Sequence, residues 1–209
     1  MGFCPVGSAR SGWYGFTLVM EKSPMPTNRA PVIIDVEASG FGRGSYPIEI
    51  GVALEDGDTL QYLIRPEPEW THWETEAHAL HGLDREHLLR SGQNVRVVAR
   101  SLNTRLAQRT VYSNAWGHDS SWIALLYDAA GIAQAFRIEA LESLVSEDLR
   151  EAWLTARQQT LADLTAQPHR AHEDARMLQS IYLRMMDADL MPAVSRFAPR
   201  PGQLPARIH

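Results

Sequence analysis

The sequence is nearly without cysteine and nearly without lysine. Cys4 is the one cysteine in 209 residues, so an intrachain disulfide and a cysteine-built zinc centre are both excluded. A reducing cytoplasm is the compartment expected of such a chain. Lys22 is the one lysine among 20 basic residues, so a phosphate clamp here is a guanidinium fork rather than an ammonium. No run approaches the ~18 apolar residues that a membrane-spanning helix needs, and no membrane partner is expected. The apolar run over 13–20 is short and has no small-residue cleavage site after it, which argues against a signal peptide. A positive surplus is missing too: 25 Asp+Glu outnumber 20 Lys+Arg, for a formal net charge of −5. That balance excludes a binder that holds nucleic acid by bulk positive charge. It leaves room for an enzyme that grips nucleic acid locally.

What is present is an ordinary globular composition, 44% hydrophobic and 22% charged, enough for one domain with a real core. Residues 1–29 scatter Gly, Ser, Pro and Met with no period and are expected to form a poorly ordered N-terminal extension. Met20 and Met25 are candidate starts. Residues 30–187 carry the periodic segments of a single domain. After Met191, Pro192, Pro199, Pro201 and Pro205 mix with Arg196, Arg200 and Arg207 and no acid, so 188–209 reads as a basic, disordered tail.

Within the domain, Val32-Ile33-Ile34-Asp35-Val36 is a continuous apolar run that ends in acids, the pattern of a buried central strand delivering its end to a site. Strands are expected over 48–54 and 59–65, joined as an antiparallel hairpin by Glu55-Asp56-Gly57-Asp58. Short helices follow around 74–80 and 85–89. Val97, Val98, Leu102 and Leu106 step at close to helical spacing over 95–108. A fourth strand begins over 110–112, a helix spans about 120–130, and a fifth strand is expected over 134–138. Ser146 with Glu147 and Asp148 predicts a helix start, running to about Thr165. Ala171, Ala175, Leu178, Tyr182 and Met185 then step as an amphipathic helix. Three strands followed by helices alternating with two more give an α/β domain.

Three acidic clusters sit where strands end or helices start. Asp35 and Glu37 are two apart on a strand, so both side chains share a face and can converge on one cation. The second cluster runs from Val111 through Asn114 to His118 and Asp119, with Trp122 beyond. Alone, Asp119 also reads as the N-cap of the helix that follows. The third is His169-Arg170-Ala171-His172-Glu173-Asp174. Five residues apart on a helix are about 140° around it, so His169 and Asp174 share a cleft only with His169 on the loop after Pro168.

Together the clusters resemble the DnaQ-like, or DEDDh, 3′–5′ exonucleases, whose fold is RNase H-like. Asp35-Val36-Glu37-Ala38-Ser39-Gly40 is similar to the family's Asp-x-Glu-x-Thr-Gly, with Ser for Thr. His169 to Asp174 matches its His-then-Asp motif. Ile48-Glu49-Ile50-Gly51 and His81-Gly82-Leu83 are similar to its second strand and its His-Gly-Ile segment. The resemblance implies a mixed central five-stranded sheet flanked by helices, and hydrolysis of the 3′ end of single-stranded DNA or RNA to nucleoside 5′-monophosphates. It implies two divalent ions, Mg²⁺ or Mn²⁺. Asp35, Glu37 and Asp174 would hold the first and Asp35 the second, with Asp119 acting through water and His169 as general base. It places Ala38, Ser39, Gly40 and Leu83 at the substrate. Some relatives dimerise, and a homodimer or a polymerase partner both stay open.

The chemistry fits independently. Two oxygen-ligated ions activate a water and neutralise the attacking and leaving oxygens, and all-carboxylate ligands favour Mg²⁺ or Mn²⁺ over zinc. An imidazole takes a proton from water at cellular pH. The ions would offset most of the −5 surplus. One departure stands out: Asn114 to Asp119 is five residues where the family has four, an insertion that Gly117 is expected to absorb. That irregularity motivates an alternative, a catalytically weak nucleic-acid-binding or scaffold module. Among other motifs, the glycine-rich 40–44 segment lacks the Lys-Ser/Thr of a phosphate loop and reads as a hinge. A zinc site from His78, His81, His169 and His172 is disfavoured without cysteine. Trp70 and Trp73 read as packing more readily than as base-stacking platforms. Leu83 fits either a wedge at the terminal base or the core, and Arg43 and Arg170 are candidate phosphate contacts.

Overall fold

The computed structural model describes residues 30–163 and 169–187. The N-terminal extension, Pro168 and the basic tail lie outside the described residues. Five strands are found: β1 Ile33–Ala38, β2 Pro47–Ala53, β3 Thr59–Leu63, β4 Thr110–Ser113 and β5 Arg137–Ala140. The helices are α1 Thr75–His81, α2 Arg85–Ser91, α3 Val95–Leu106, α4 Trp116–Ala130, α5 Arg150–Asp163 and α6 Ala171–Met186. The sheet order is β3-β2-β1-β4-β5, with β1–β2 and β2–β3 antiparallel and β1–β4 and β4–β5 parallel. The expected mixed five-stranded α/β sheet is therefore present. No helix among the described residues is long and apolar enough to cross a membrane.

Strand alternation decides what each face of the sheet does. Ile34, Val36 and Ala38 of β1 and Ile48, Ile50 and Val52 of β2 pack into the main core with α3 and α4. Ile33 and Ala53 face the other way and pack against Ala175 and Leu178 of α6. Period-2 geometry puts Asp35 and Glu37 on that second face, together with Glu49 and Gly51. A Cβ built on Gly51 would lie 2.0 Å from the backbone of both Ala171 and His172, so glycine there lets the start of α6 seat directly on the sheet. Farther along α6, Gln179 Nε2 donates to Pro31 O at 2.8 Å and Leu54 O at 2.9 Å. These bonds fix the helix across β1 and β2.

The clearest differences from expectation lie at three boundaries and on one helix face. Trp116 starts α4 four residues early and its indole donates to Ile138 O at 2.9 Å. Gly117 is an ordinary position of that helix, with open space where a Cβ would go, so the extra residue is absorbed by the first helical turn rather than by a glycine kink. The fifth strand is displaced to Arg137–Ala140 because Phe136 is taken into the core against Tyr127. Ser146 makes no side-chain cap; a 3₁₀ turn over Glu147–Leu149 leads into α5 instead. Val97, expected on the buried face of α3, is exposed, and Val95 and Ala99 are buried with Val98, Leu102 and Leu106.

Candidate active site

The antiparallel register sets Glu37 opposite Glu49 and Asp35 opposite Gly51. Directly opposed like charges on a sheet repel, and the chain resolves this pair with Arg170. Its guanidinium meets Glu49 with Nη2 2.7 Å from Oε1 and Nε 3.1 Å from Oε2. Glu49 Oε2 also accepts from the Ala171 amide at 3.1 Å, and Oε1 from Gln61 Nε2 at 2.6 Å. Burial pushes the Glu49 carboxyl up, but Arg170, Gln61 and the Ala171 amide outweigh it and hold the group below the usual carboxylate range. Glu49 is thus a buried anion locked to the helix that carries Asp174. Arg170, expected at a phosphate, is engaged here instead.

Among the described residues no arginine pairs with the other cleft carboxylates, and Asp174 has His169 beside it. Burial, then Asp174, Glu49 and Asp119, push Glu37 up to about 8. Asp35 is raised well above its ordinary value by burial, with Asp119 and Glu37 adding to it. Asp119 is 1% exposed because it occupies the first position of the buried stripe Asp119, Trp122, Ile123, Leu126, Tyr127 and Ala130 on α4. Burial raises it to about 7 against a hydrogen bond donated by Ser113 Oγ. Ala115 is the N-cap of α4, not Asp119. Burial also raises Asp174, while His169 beside it pulls the other way.

These groups meet in one cleft of about 170 Å³, into which Asp35, Glu37, Asp119, His169 and Asp174 all face. His169 precedes the first residue of α6 and its amide donates to Leu80 O at 3.2 Å. Its Nδ1 lies 3.3 Å from Asp174 Oδ2. Glu37, His169 and Asp174 each offer a ligand atom, all within 4.8 Å of one another, close enough to share a metal ion; Asp35, also an expected ligand, is not part of that group. Carboxylates that burial pushes up together are matched by a divalent cation, which relieves burial and mutual repulsion together.

The structure separates the substrate-side residues. Ala38 and Gly40 line the cleft. Ser39 does not; it is buried, and its hydroxyl accepts from the Tyr46 amide at 3.1 Å. Leu83 sits in the main core, 7% exposed. Leu80, 47% exposed, and Phe41, 62% exposed, are exposed large apolar side chains that line the cleft, beside the buried Val36 and Trp122. Leu80, Phe41 and Glu49 were not singled out for these positions by sequence. For Glu49 the signal is a lone acid inside a strand otherwise wholly apolar and buried. Trp70 stacks on Tyr46 at 5.3 Å inside the core, and Trp73 packs at the core edge against His81. His78 pairs with Asp84 at 3.1 Å, and among the described residues no metal-ligating group joins the four histidines. His118 lines the cleft with its ring stacked 5.5 Å from Trp122.

No family model matches the chain, and no curated protein matches it by sequence. In fold it is similar to solved structures of exonuclease I. The zinc-bound E. coli exonuclease I–ssDNA complex aligns with a TM-score of 0.55 and 12% identity, covering 79% of this chain and 42% of that one. E. coli exonuclease I with a dA16 oligonucleotide gives 0.54 and 10% over the same shares, 79% and 42%. Exonuclease I from Methylocaldum szegediense gives 0.54 and 12%, again over 79% and 42%. The chain therefore spans about two fifths of the length of these proteins. The order β3-β2-β1-β4-β5 with helices on both faces is, by this likeness, an RNase H-like fold.

Proposed function

We propose that the chain is a metal-dependent 3′–5′ exonuclease that releases nucleoside 5′-monophosphates from the 3′ end of single-stranded DNA or RNA. The observation that carries the reading is the convergence of three sequence-distant clusters, as Asp35, Glu37, Asp119, His169 and Asp174, on one cleft. The neighbours in fold include complexes with single-stranded oligonucleotides and a product-bound form, which supports the same substrate class. At about 170 Å³ the cleft is smaller than the ~300 Å³ of a typical drug-sized pocket.

Asp35, Glu37 and Asp174 would hold one Mg²⁺ or Mn²⁺ and Asp35 a second, with Asp119 acting through water. Such ions lower the pKa of the attacking water and stabilise charge on the attacking and leaving oxygens. The chain itself orients and receives the proton. With His169 Nδ1 donating to Asp174, Nε2 is left to accept a proton from the water. Phe41 and Leu80, which line the same cleft, offer apolar surface for the terminal base. Asp119 faces the cleft despite the five-residue spacing, so the geometry gives no preference to an inactive scaffold. Calorimetric titration with Mn²⁺ separates the two: the enzyme binds the ion, and replacing Asp174 by Asn weakens that binding. A chain that takes up no divalent ion would fit the scaffold and not the enzyme.

A further inference from the structure

The apolar mouth of the cleft is built by two separate segments. The 40–44 loop after β1 supplies Phe41, and α1 supplies Leu80. They are joined at Glu74, the N-cap residue of α1. An N-cap side chain ordinarily bonds the first turn of its own helix, but Glu74 makes no such bond. Its carboxylate crosses to the loop instead. Oε2 accepts from the Phe41 amide at 2.9 Å, and Oε1 accepts from the Gly42 amide at 3.0 Å and faces His72 Nε2 at 3.1 Å. The other ring nitrogen of His72 lies 3.3 Å from Ser39 Oγ, and the Glu74 amide donates to Ser39 O at 2.8 Å. The crossing is tight: a Cβ on Gly40 would lie 2.5 Å from both Glu74 Cδ and His72 Cε1. The segment read as a hinge from its glycines is therefore pinned, and Gly40 serves the close approach of the pin.

We infer that Glu74 is a positioning residue: through the Phe41 and Gly42 amides and His72 it fixes the loop against α1, and so sets the spacing of Phe41 and Leu80 around the terminal nucleoside. The inference rests on the exonuclease reading and deepens it, because it assigns the clamp to nucleoside recognition and not to the carboxylate centre. Neither Glu74 nor His72 lines the cleft. An exposed aromatic ring on an unpinned glycine loop would lose conformational freedom on every binding event; a pinned one is already ordered.

The test compares wild type, Glu74→Ala and Glu74→Gln by steady-state kinetics on a single-stranded oligonucleotide and by calorimetric titration with Mn²⁺. Glu74→Ala raises KM about ten-fold while kcat falls less, and Mn²⁺ affinity stays within about two-fold. Glu74→Gln keeps one acceptor oxygen and falls between. Because Gln preserves the shape of the side chain, it stands in should the alanine variant not fold. Unchanged KM in both variants overturns the inference. So does a matching loss of Mn²⁺ affinity, which would place the effect at the carboxylates or in the fold. A wild type that releases no nucleotide overturns the exonuclease reading itself and this inference with it, a pattern distinct from the other two.

Discussion

Arg170 and Glu49, 121 positions apart in the chain, face each other at 2.7 Å, with Glu49 wholly buried. Arg170 lies between His169 and the start of α6, so the pair anchors the segment that delivers His169 and Asp174. Removing one partner of a buried pair strands the other charge, at a cost of about 3 kcal/mol. Arg170→Met should lower stability by that order in urea denaturation, and should weaken Mn²⁺ binding because Asp174 loses its placement. Glu49→Gln, which keeps acceptor and shape, should cost less. Equal stability of Arg170→Met and wild type would show that the pair anchors nothing.

Gly51 tests the same seat from the sheet side. Its absent Cβ leaves the space that the Ala171–His172 backbone occupies, and backbone cannot rotate away as a side chain can. Gly51→Ala should destabilise by about 3 kcal/mol, at the upper end of overpacking effects. Gly57→Ala, at a turn with open space around it but a positive φ of 88°, should cost roughly 1 kcal/mol. Thermal melts of the two proteins should rank them in that order.

Much of this was legible in sequence, for physical reasons that differ by element. Val32 to Val36 announced a central strand because a strand buried on both faces is mostly apolar, while the acids at its end, taken alone, fitted a strand running into solvent as well as a site. His169 falls outside α6 as the 140° argument requires. Leu83 was harder. Core and cleft both select an apolar residue, and the structure places Leu83, after the left-handed Gly82 that ends α1, in the core and Leu80, on α1, at the cleft. Arg170 read only as a candidate phosphate contact, because an arginine next to such a cluster suits phosphate as well as the carboxylate it meets here. Its partner Glu49 is settled by strand register, which local pattern does not encode.

The raised carboxylates make stability depend on pH with a definite sign. Glu37, ordinarily near 4.5, is pushed up to about 8 in the fold, chiefly by burial, and burial pushes Asp119 from 3.8 up to about 7. The folded state therefore binds more protons between these limits, and stability falls as pH rises from about 4 to 8. The metal-free protein should melt several degrees lower at pH 8 than at pH 5. Saturating Mn²⁺ should reverse the loss at pH 8, since bound ion replaces the protons. A metal-free melting temperature that rises from pH 5 to pH 8 would contradict the assigned shifts.

Asp119 and His118 are adjacent, but only Asp119 is buried beneath the cleft. Asp119→Asn removes a charge that burial disfavours, so it should stabilise the metal-free protein at pH 8 while lowering turnover at least ~10²-fold. His118→Ala should act chiefly on KM through the lost ring beside Trp122, with a smaller change in kcat. Parallel kinetics on both variants check the assignment. The reverse ranking of kcat losses would move the second motif's functional residue to His118.

The central claim is hydrolysis from a 3′ end by this carboxylate–histidine cleft. The direct measurement is incubation of purified protein with a 5′-labelled single-stranded oligonucleotide, DNA and RNA in parallel, with Mg²⁺ or Mn²⁺. The account predicts a descending ladder and nucleoside 5′-monophosphate product, stopped by EDTA and slowed at least ~10²-fold by His169→Ala. No ladder on either polymer, or a ladder that persists undiminished in EDTA and in His169→Ala, would contradict it.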